Sequence, residues 1–352
     1  MGTLAAKASA ARHLYVLAIL FCALCPVESR GQNTFIPGQL SSQSVTQDTV
    51  PFEVQNGLIV VKALLGDGLV ANAILSTGLP ICFVTPEFAA KRTMKASGTR
   101  DVAVMDRNVT ALAVPVQAVR INRMLVTGAA CGVLDLYKQL SSAPPQDAPQ
   151  IWLGGSVLAA LSMTIDPQVQ QIVFRPPGAP LPVGAIIVPF ELKDGRIWVD
   201  VKVNGKKNFS AIVDTGSVGT LLPAPVAKAL SLPAAATLPV MHPDGKEGKA
   251  CAVELTDVGM AGLKVPDVQA IYIEPGTKDG FDTDLGIIGN DVLLRYRVTI
   301  DYVQRKLAFE KLNGPKPEGS ASAARAGQPY TSPAGVQKPN PAVKRIPPPI
   351  GH

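Results

Sequence analysis

The sequence predicts a mostly β chain made of two related, closed units, and three observations carry that expectation. Short blocks recur in the same order at nearly one offset. Each half is rich in apolar, strand-forming segments joined by hairpin signals. A Pro-rich stretch, Pro176-Pro177-Gly178-Ala179-Pro180-Leu181-Pro182, lies between the halves.

The recurrence is specific. Val50-Pro51-Phe52-Glu53 returns as Val188-Pro189-Phe190-Glu191, 138 residues later. The same offset takes Gly57 to Gly195, Val61 to Val199, and Ser76-Thr77-Gly78 to Asp214-Thr215-Gly216. Thr164-Ile165-Asp166 returns as Thr299-Ile300-Asp301 at an offset of 135, and Leu153-Gly154 aligns with Ile288-Gly289. One four-residue match arises by chance; several in order at one spacing point to a repeated unit.

Within each unit the local signals are those of strands. Ile197 to Val203 alternates and runs into Asn204-Gly205, whose residues suit a two-residue hairpin turn, and then into Ser210 to Val213. Leu58 to Leu65, Gly66-Asp67-Gly68 and Val70 to Leu75 repeat that plan in the first unit. Short helices are expected at 86–91 and 223–230, each opened by a proline, whose missing N–H costs nothing in a first turn. Trp152 and Trp198 fall at strand positions and read as core.

The ends of the chain read differently. Lys7, Arg12 and His13 precede twelve apolar residues, Leu14 to Cys25, in the order of a secretory signal. Twelve residues give about 18 Å of helix, short of a hydrocarbon core of about 30 Å, so no stable membrane span is expected once the signal is cut. The chain is therefore expected to be exported, periplasmic or secreted, and membrane-anchored if the signal stays. Residues 313–352 contain nine prolines among Gly, Ser and Ala, a composition expected to stay disordered. The expected organisation is a signal at 1–31, an extension at 32–47, a first lobe at 48–176, a linker at 177–184, a second lobe at 185–312 and the Pro-rich tail.

Charge and residue usage exclude several functions. The 33 Lys/Arg and 27 Asp/Glu give +6, but residues 1–30 hold three bases and one acid, and residues 313–352 hold five and one. The body keeps 25 of each, so a phosphate-neutralising face for nucleic acid is not expected. With only His13, His242 and His352, no histidine-rich metal site is expected, and no phosphate-cradling glycine loop is present. Neither metal nor cofactor is expected. Cys82, Cys131 and Cys251, the cysteines of the mature chain, read as buried free thiols.

The chemistry is carried by Ala211-Ile212-Val213-Asp214-Thr215-Gly216-Ser217, followed by Leu221-Leu222-Pro223 and, some seventy residues on, Gly286-Ile287-Ile288-Gly289-Asn290-Asp291-Val292-Leu293. This set resembles a retropepsin-like lobe of the aspartic proteases, in a tandem, pepsin-like bilobal arrangement. The resemblance implies an acid-protease fold of two closed β units about a pseudo-twofold axis, and Asp214 as a catalytic carboxylate. It implies that Thr215 bonds across to the partner loop, that Gly216 permits the turn and that Ser217 supports the aspartate. In that family two such carboxylates share a proton and activate a water.

The first unit departs from the pattern. Ser76-Thr77-Gly78 is the degenerate counterpart, with Ser76 where a second aspartate belongs. Asp67 and Glu87 are expected in a turn and a helix start, and neither substitutes for it. His242 is expected at the tip of a flap hairpin, and Asp291 and Asp301 in structural roles. The leading expectation is an aspartic endopeptidase acting on peptide or protein substrates. A homodimer through the second lobe would restore two aspartates. The alternative is an inactive protease fold that binds extended peptides or serves as an envelope interaction protein.

Overall fold

Val60 and Ile74 stand opposite each other in the first half, Trp198 and Ile212 in the second, and these two hairpins begin the same series of pairings. A computed structural model describes residues 35–41, 45–66, 68, 70–104, 107–139, 147–241, 247–274 and 284–312. The predicted signal, the Pro-rich tail, Asp67 and His242 lie outside the described residues.

In the second half, Arg196–Val203 pairs antiparallel with Lys207–Val213, which pairs parallel with Gly286–Ile288. That strand runs antiparallel to Thr220–Leu221, which lies parallel to Leu263–Ile273, and the long strand Glu247–Met260 follows. The first half makes the same moves with Leu58–Leu65, Ala71–Leu75, Ile151–Leu153, Cys82–Val84, Ala130–Val133 and Arg107–Pro115. The apolar run Ala73-Ile74-Leu75 is buried because it sits between two strands and is covered on both faces, as its counterpart Ala211-Ile212-Val213 is.

A third sheet joins the halves. Its order places Ser162–Asp166 and Tyr296–Asp301 at the centre, flanked outward by Gln171–Arg175 and Lys306–Lys311, then by Asp48–Pro51 and Ile186–Pro189. Thr164 faces Thr299 in this register, and their hydroxyls bond at 2.8 Å, fully buried. The described residues from Ile36 to Leu312 accordingly form one compact unit.

Local signals account for the connections. Asn204 and Gly205 both take positive φ, at 52° and 62°, as a primed hairpin turn requires. Helix Pro86–Lys91 is capped by Thr85, whose hydroxyl accepts from the Phe88 amide, and helix Ala224–Ala229 follows Pro223. The extension before the first lobe is not wholly separate from it: Gln39–Leu40 pairs with Met124–Thr127. Among the described residues no helix is long and apolar enough to cross a membrane.

Trp152 is core, edge-on to Tyr137 at 4.9 Å. Trp198 departs from the expectation. It is half-buried, because it shares its strand face with the exposed Asp200 and Lys202; it packs on the cluster around Ile212 and Ile287, with Lys193 and the Arg196 guanidinium over its ring at 5.9 and 5.6 Å.

The buried threonine pair makes a stability test. Thr299→Val leaves the Thr164 hydroxyl with only the Arg175 guanidinium, which donates to it at 3.3 Å, and is expected to cost about 1–3 kcal/mol. The double variant Thr164→Val/Thr299→Val is expected to cost less than the two single changes together, as read from urea midpoints.

Candidate active site

Ser76 and Asp214 each follow the buried end of a strand, Ala71–Leu75 and Lys207–Val213, and the structure brings them together. The loops are tied by an exchange. Thr77 Oγ1 donates to the Val213 carbonyl at 2.7 Å, and Thr215 Oγ1 donates to the Leu75 carbonyl at 2.8 Å. Each hydroxyl also accepts from the other threonine's amide, at 3.1 and 3.3 Å. Both threonines are fully buried, so all four bonds form without competition from water.

The glycines are required by proximity. A Cβ on Gly78 would lie 2.4 Å from Asp214 Cγ, and one on Gly216 would lie 2.5 Å from Ser76 Oγ. Gly216 does not adopt positive φ, so its role is close approach and not the turn permission expected of it. The same constraint recurs behind the loops, where a Cβ on Gly154 would meet the Ile81 carbonyl oxygen at 2.1 Å and one on Gly289 the Gly219 oxygen at 2.5 Å.

Three donors converge on one oxygen of Asp214. Ser76 Oγ, the Gly78 amide and the Gly216 amide reach Oδ1 at 2.9, 3.0 and 2.7 Å. Oδ2 remains as the carboxylate's free lone-pair site. Burial pushes the Asp214 carboxyl above the usual carboxylate range; the bonds from Gly216, Gly78 and Ser76 and the charge of Arg196 pull the other way.

Ser217 does not support the carboxylate as expected. Its hydroxyl donates to the Gly219 carbonyl at 2.9 Å, because the loop turns its side chain along the backbone, and Ser76 occupies the supporting position instead. Asn290 was visible only as part of a motif, yet its side-chain amide donates to the Thr215 carbonyl at 2.9 Å and to the Gly57 carbonyl at 2.8 Å. It thereby fastens the Asp-Thr-Gly loop to the first half.

Asp301 ends its strand and accepts from the Gly178 and Gln304 amides. Asp291 has a structural role, as expected: in the first turn of helix Asn290–Leu293, which Gly289 caps, it is a half-buried anchor that accepts from the Thr220 hydroxyl at 3.0 Å. Burial pushes its carboxyl up to about 6, against the bonds from Thr220 and the charge of Arg295. Glu87 is exposed in the first turn of helix Pro86–Lys91 and does not line the cleft. Cys82, Cys131 and Cys251 are buried and free.

Above the two loops lies a cleft of about 210 Å³. Its floor is Ser76, Gly78, Asp214 and Gly216, and its walls include Leu79, Val104, Leu136 and Trp152 from the first half and Ile212, Leu285 and Ile287 from the second. One carboxylate in an apolar trough suits activation of a water beside a bound chain. Among the described residues no group of three or more His, Cys, Asp or Glu side chains is placed to hold a metal.

Residues 199–292 match the family model described as aspartyl protease. That likeness to the aspartyl proteases covers about a quarter of the chain. The matched segment contains the Asp214 loop and the Gly286-to-Leu293 block up to Val292. Among solved structures, the aspartic proteinase from Irpex lacteus aligns with a TM-score of 0.47 at 13% identity, over 76% of this chain and 98% of that one. No curated protein matches in sequence.

Asp291 provides a pH test with a defined sign. A folded-state carboxyl at about 6 against 3.8 contributes stability that is full below about pH 4 and lost as pH rises through about 6. The difference is up to about 3 kcal/mol. Asp291→Asn keeps an acceptor for Thr220 without titrating. Its stability relative to the native chain is therefore expected to improve between pH 4 and 7, by urea midpoint, and to be least favourable at pH 4.

Proposed function

We propose that this protein is an aspartic-type endopeptidase working with one carboxylate, Asp214, and one hydroxyl, Ser76. The observation that carries this reading is the family loop held in its full hydrogen-bonded frame, with Asp214 on the floor of an apolar cleft. Thr215 and Gly216 keep the loop in place, and Thr77 and Gly78 hold its counterpart.

The chemistry follows from the two oxygens of Asp214. Oδ1 is occupied by its three donors, so Oδ2 is the base that takes a proton from a water. The water attacks the peptide carbonyl, and the proton held on Oδ2 then passes to the departing amine. In a two-carboxyl site the second, protonated carboxyl donates to the carbonyl oxygen; here the Ser76 hydroxyl is the donor on that side, and to serve the substrate it must turn its single hydrogen away from Asp214 Oδ1, which keeps the Gly78 and Gly216 amides. A hydroxyl is a weaker acid than a carboxyl, so slower turnover is expected than from a paired site.

Pairing within the chain supports this reading over a homodimer through the second lobe. The face of the Asp214 loop is already taken by Thr77, Gly78 and Ser76 of the same chain, and dimerisation would require breaking the threonine exchange. A second reading, peptide binding without cleavage, is favoured by one observation, the serine at position 76.

Cleavage of peptides with apolar residues about the scissile bond, measured from pH 4 to 8, separates them. The native chain is expected to cleave, and Asp214→Asn to lose about 10²-fold or more. Ser76→Asp is expected to raise the rate and move its optimum to acid, since a shared proton then becomes possible. Native cleavage indifferent to Asp214→Asn would overturn the assignment. A silent native chain beside an active Ser76→Asp variant would establish the binding reading.

A further inference from the structure

Each loop residue of the site has a neighbour on the strand before it, and the two neighbours differ in kind. The antiparallel register Trp198↔Ile212, carried two residues on, sets Arg196 opposite Asp214. The register Val60↔Ile74, carried equally far, sets Leu58 opposite Ser76. The first half therefore places an apolar side chain beside a hydroxyl, and the second places a cation beside a carboxylate. Leu58 packs against the core of Val60, Ile74 and Trp152, as a neutral neighbour can. Arg196 is 8% exposed, an uncommon position for a guanidinium, and is stacked on Trp198 at 5.6 Å, which fixes it in the second half.

We propose that Arg196 is the counter-ion of Asp214, a positioning residue that holds this lone carboxylate in its charged, base-competent form. A paired site needs no such cation, because one carboxylate is neutralised by the proton it shares. A single buried carboxylate has no partner to share with, and in a low-dielectric floor it protonates unless a positive charge lies near. The other groups facing Asp214 cannot supply that charge. Ser76 Oγ and the Gly78 and Gly216 amides are neutral donors, and the Tyr302 hydroxyl, fully buried near the carboxylate, is neutral. Asp194 has the stronger claim on the Arg196 charge, ahead of Asp214, and as an anion it adds none of the positive charge Asp214 needs.

This inference rests on the reading of Asp214 as the base, and its test does not depend on turnover. The side-chain carboxyl of Asp214 is followed by ¹³C NMR in the intact chain from pH 3 to 9, assigned by its loss in Asp214→Asn. Arg196→Met is expected to raise its titration midpoint by about one unit or more, and Arg196→Lys to restore most of the native value. In the Ser76→Asp background, Leu58→Arg is expected to lower the midpoint of the introduced carboxyl, which tests the same geometry in the other half without touching Arg196. Midpoints that do not move in either experiment would overturn the role of Arg196, even if peptidase assays support Asp214. A shifted midpoint in a chain that cleaves nothing would keep the counter-ion and remove the catalytic reading.

Discussion

Everything at the floor of the cleft depends on the exchange between Thr77 and Thr215. Each hydroxyl gives its hydrogen to a carbonyl of the opposite strand and takes one from the opposite amide, so neither loop is satisfied alone. Once that exchange is made, Gly78 and Gly216 are pressed against Asp214 and Ser76, where no larger residue fits. The donors to Oδ1 are consequences of this approach. The buried Thr164–Thr299 pair repeats the device one sheet away and keeps the two halves in a single register.

On this symmetric frame sits an asymmetric chemistry. A carboxylate at position 214 must be solvated by the protein, and it is surrounded by two amides, a hydroxyl and a cation's field. A hydroxyl at position 76 makes no such demand, and its strand neighbour is a leucine. The difference between the halves is therefore not confined to one residue. Leu58 and Ser76 belong together, as Arg196 and Asp214 do, and changing Ser76 alone to aspartate leaves it beside an apolar neighbour that favours its protonated form.

The frame was legible in the sequence because its signals are local or repeated. Asn204-Gly205, the prolines that open the two helices and the shared offset each depend on a few adjacent residues. What was not legible depends on distance through space. Ser217 follows the aspartate in the chain, but a backbone carbonyl two residues on satisfies it, and Ser76 takes its expected place. Asp291 was legible as structural, but its partner, the Thr220 hydroxyl 71 residues away in the chain, was not. Trp198 reads as core by residue type, but it lies on the face of its strand that carries the exposed Asp200 and Lys202, and it is only partly buried. Arg196 carried a readable signal, since the 138-residue offset sets it against Leu58, though its significance appears only when the register brings both to the site.

The most direct measurement is the chemical shift of the Gly78 amide as a function of pH, in a sample whose mass is determined by sedimentation. Gly78 lies in the first half and donates to Asp214 of the second at 3.0 Å. If the two loops pair within one chain, the amide moves with the midpoint of the Asp214 carboxyl while the sample is monomeric. A Gly78 amide that ignores that ionisation, or follows it only in a dimer, contradicts the account.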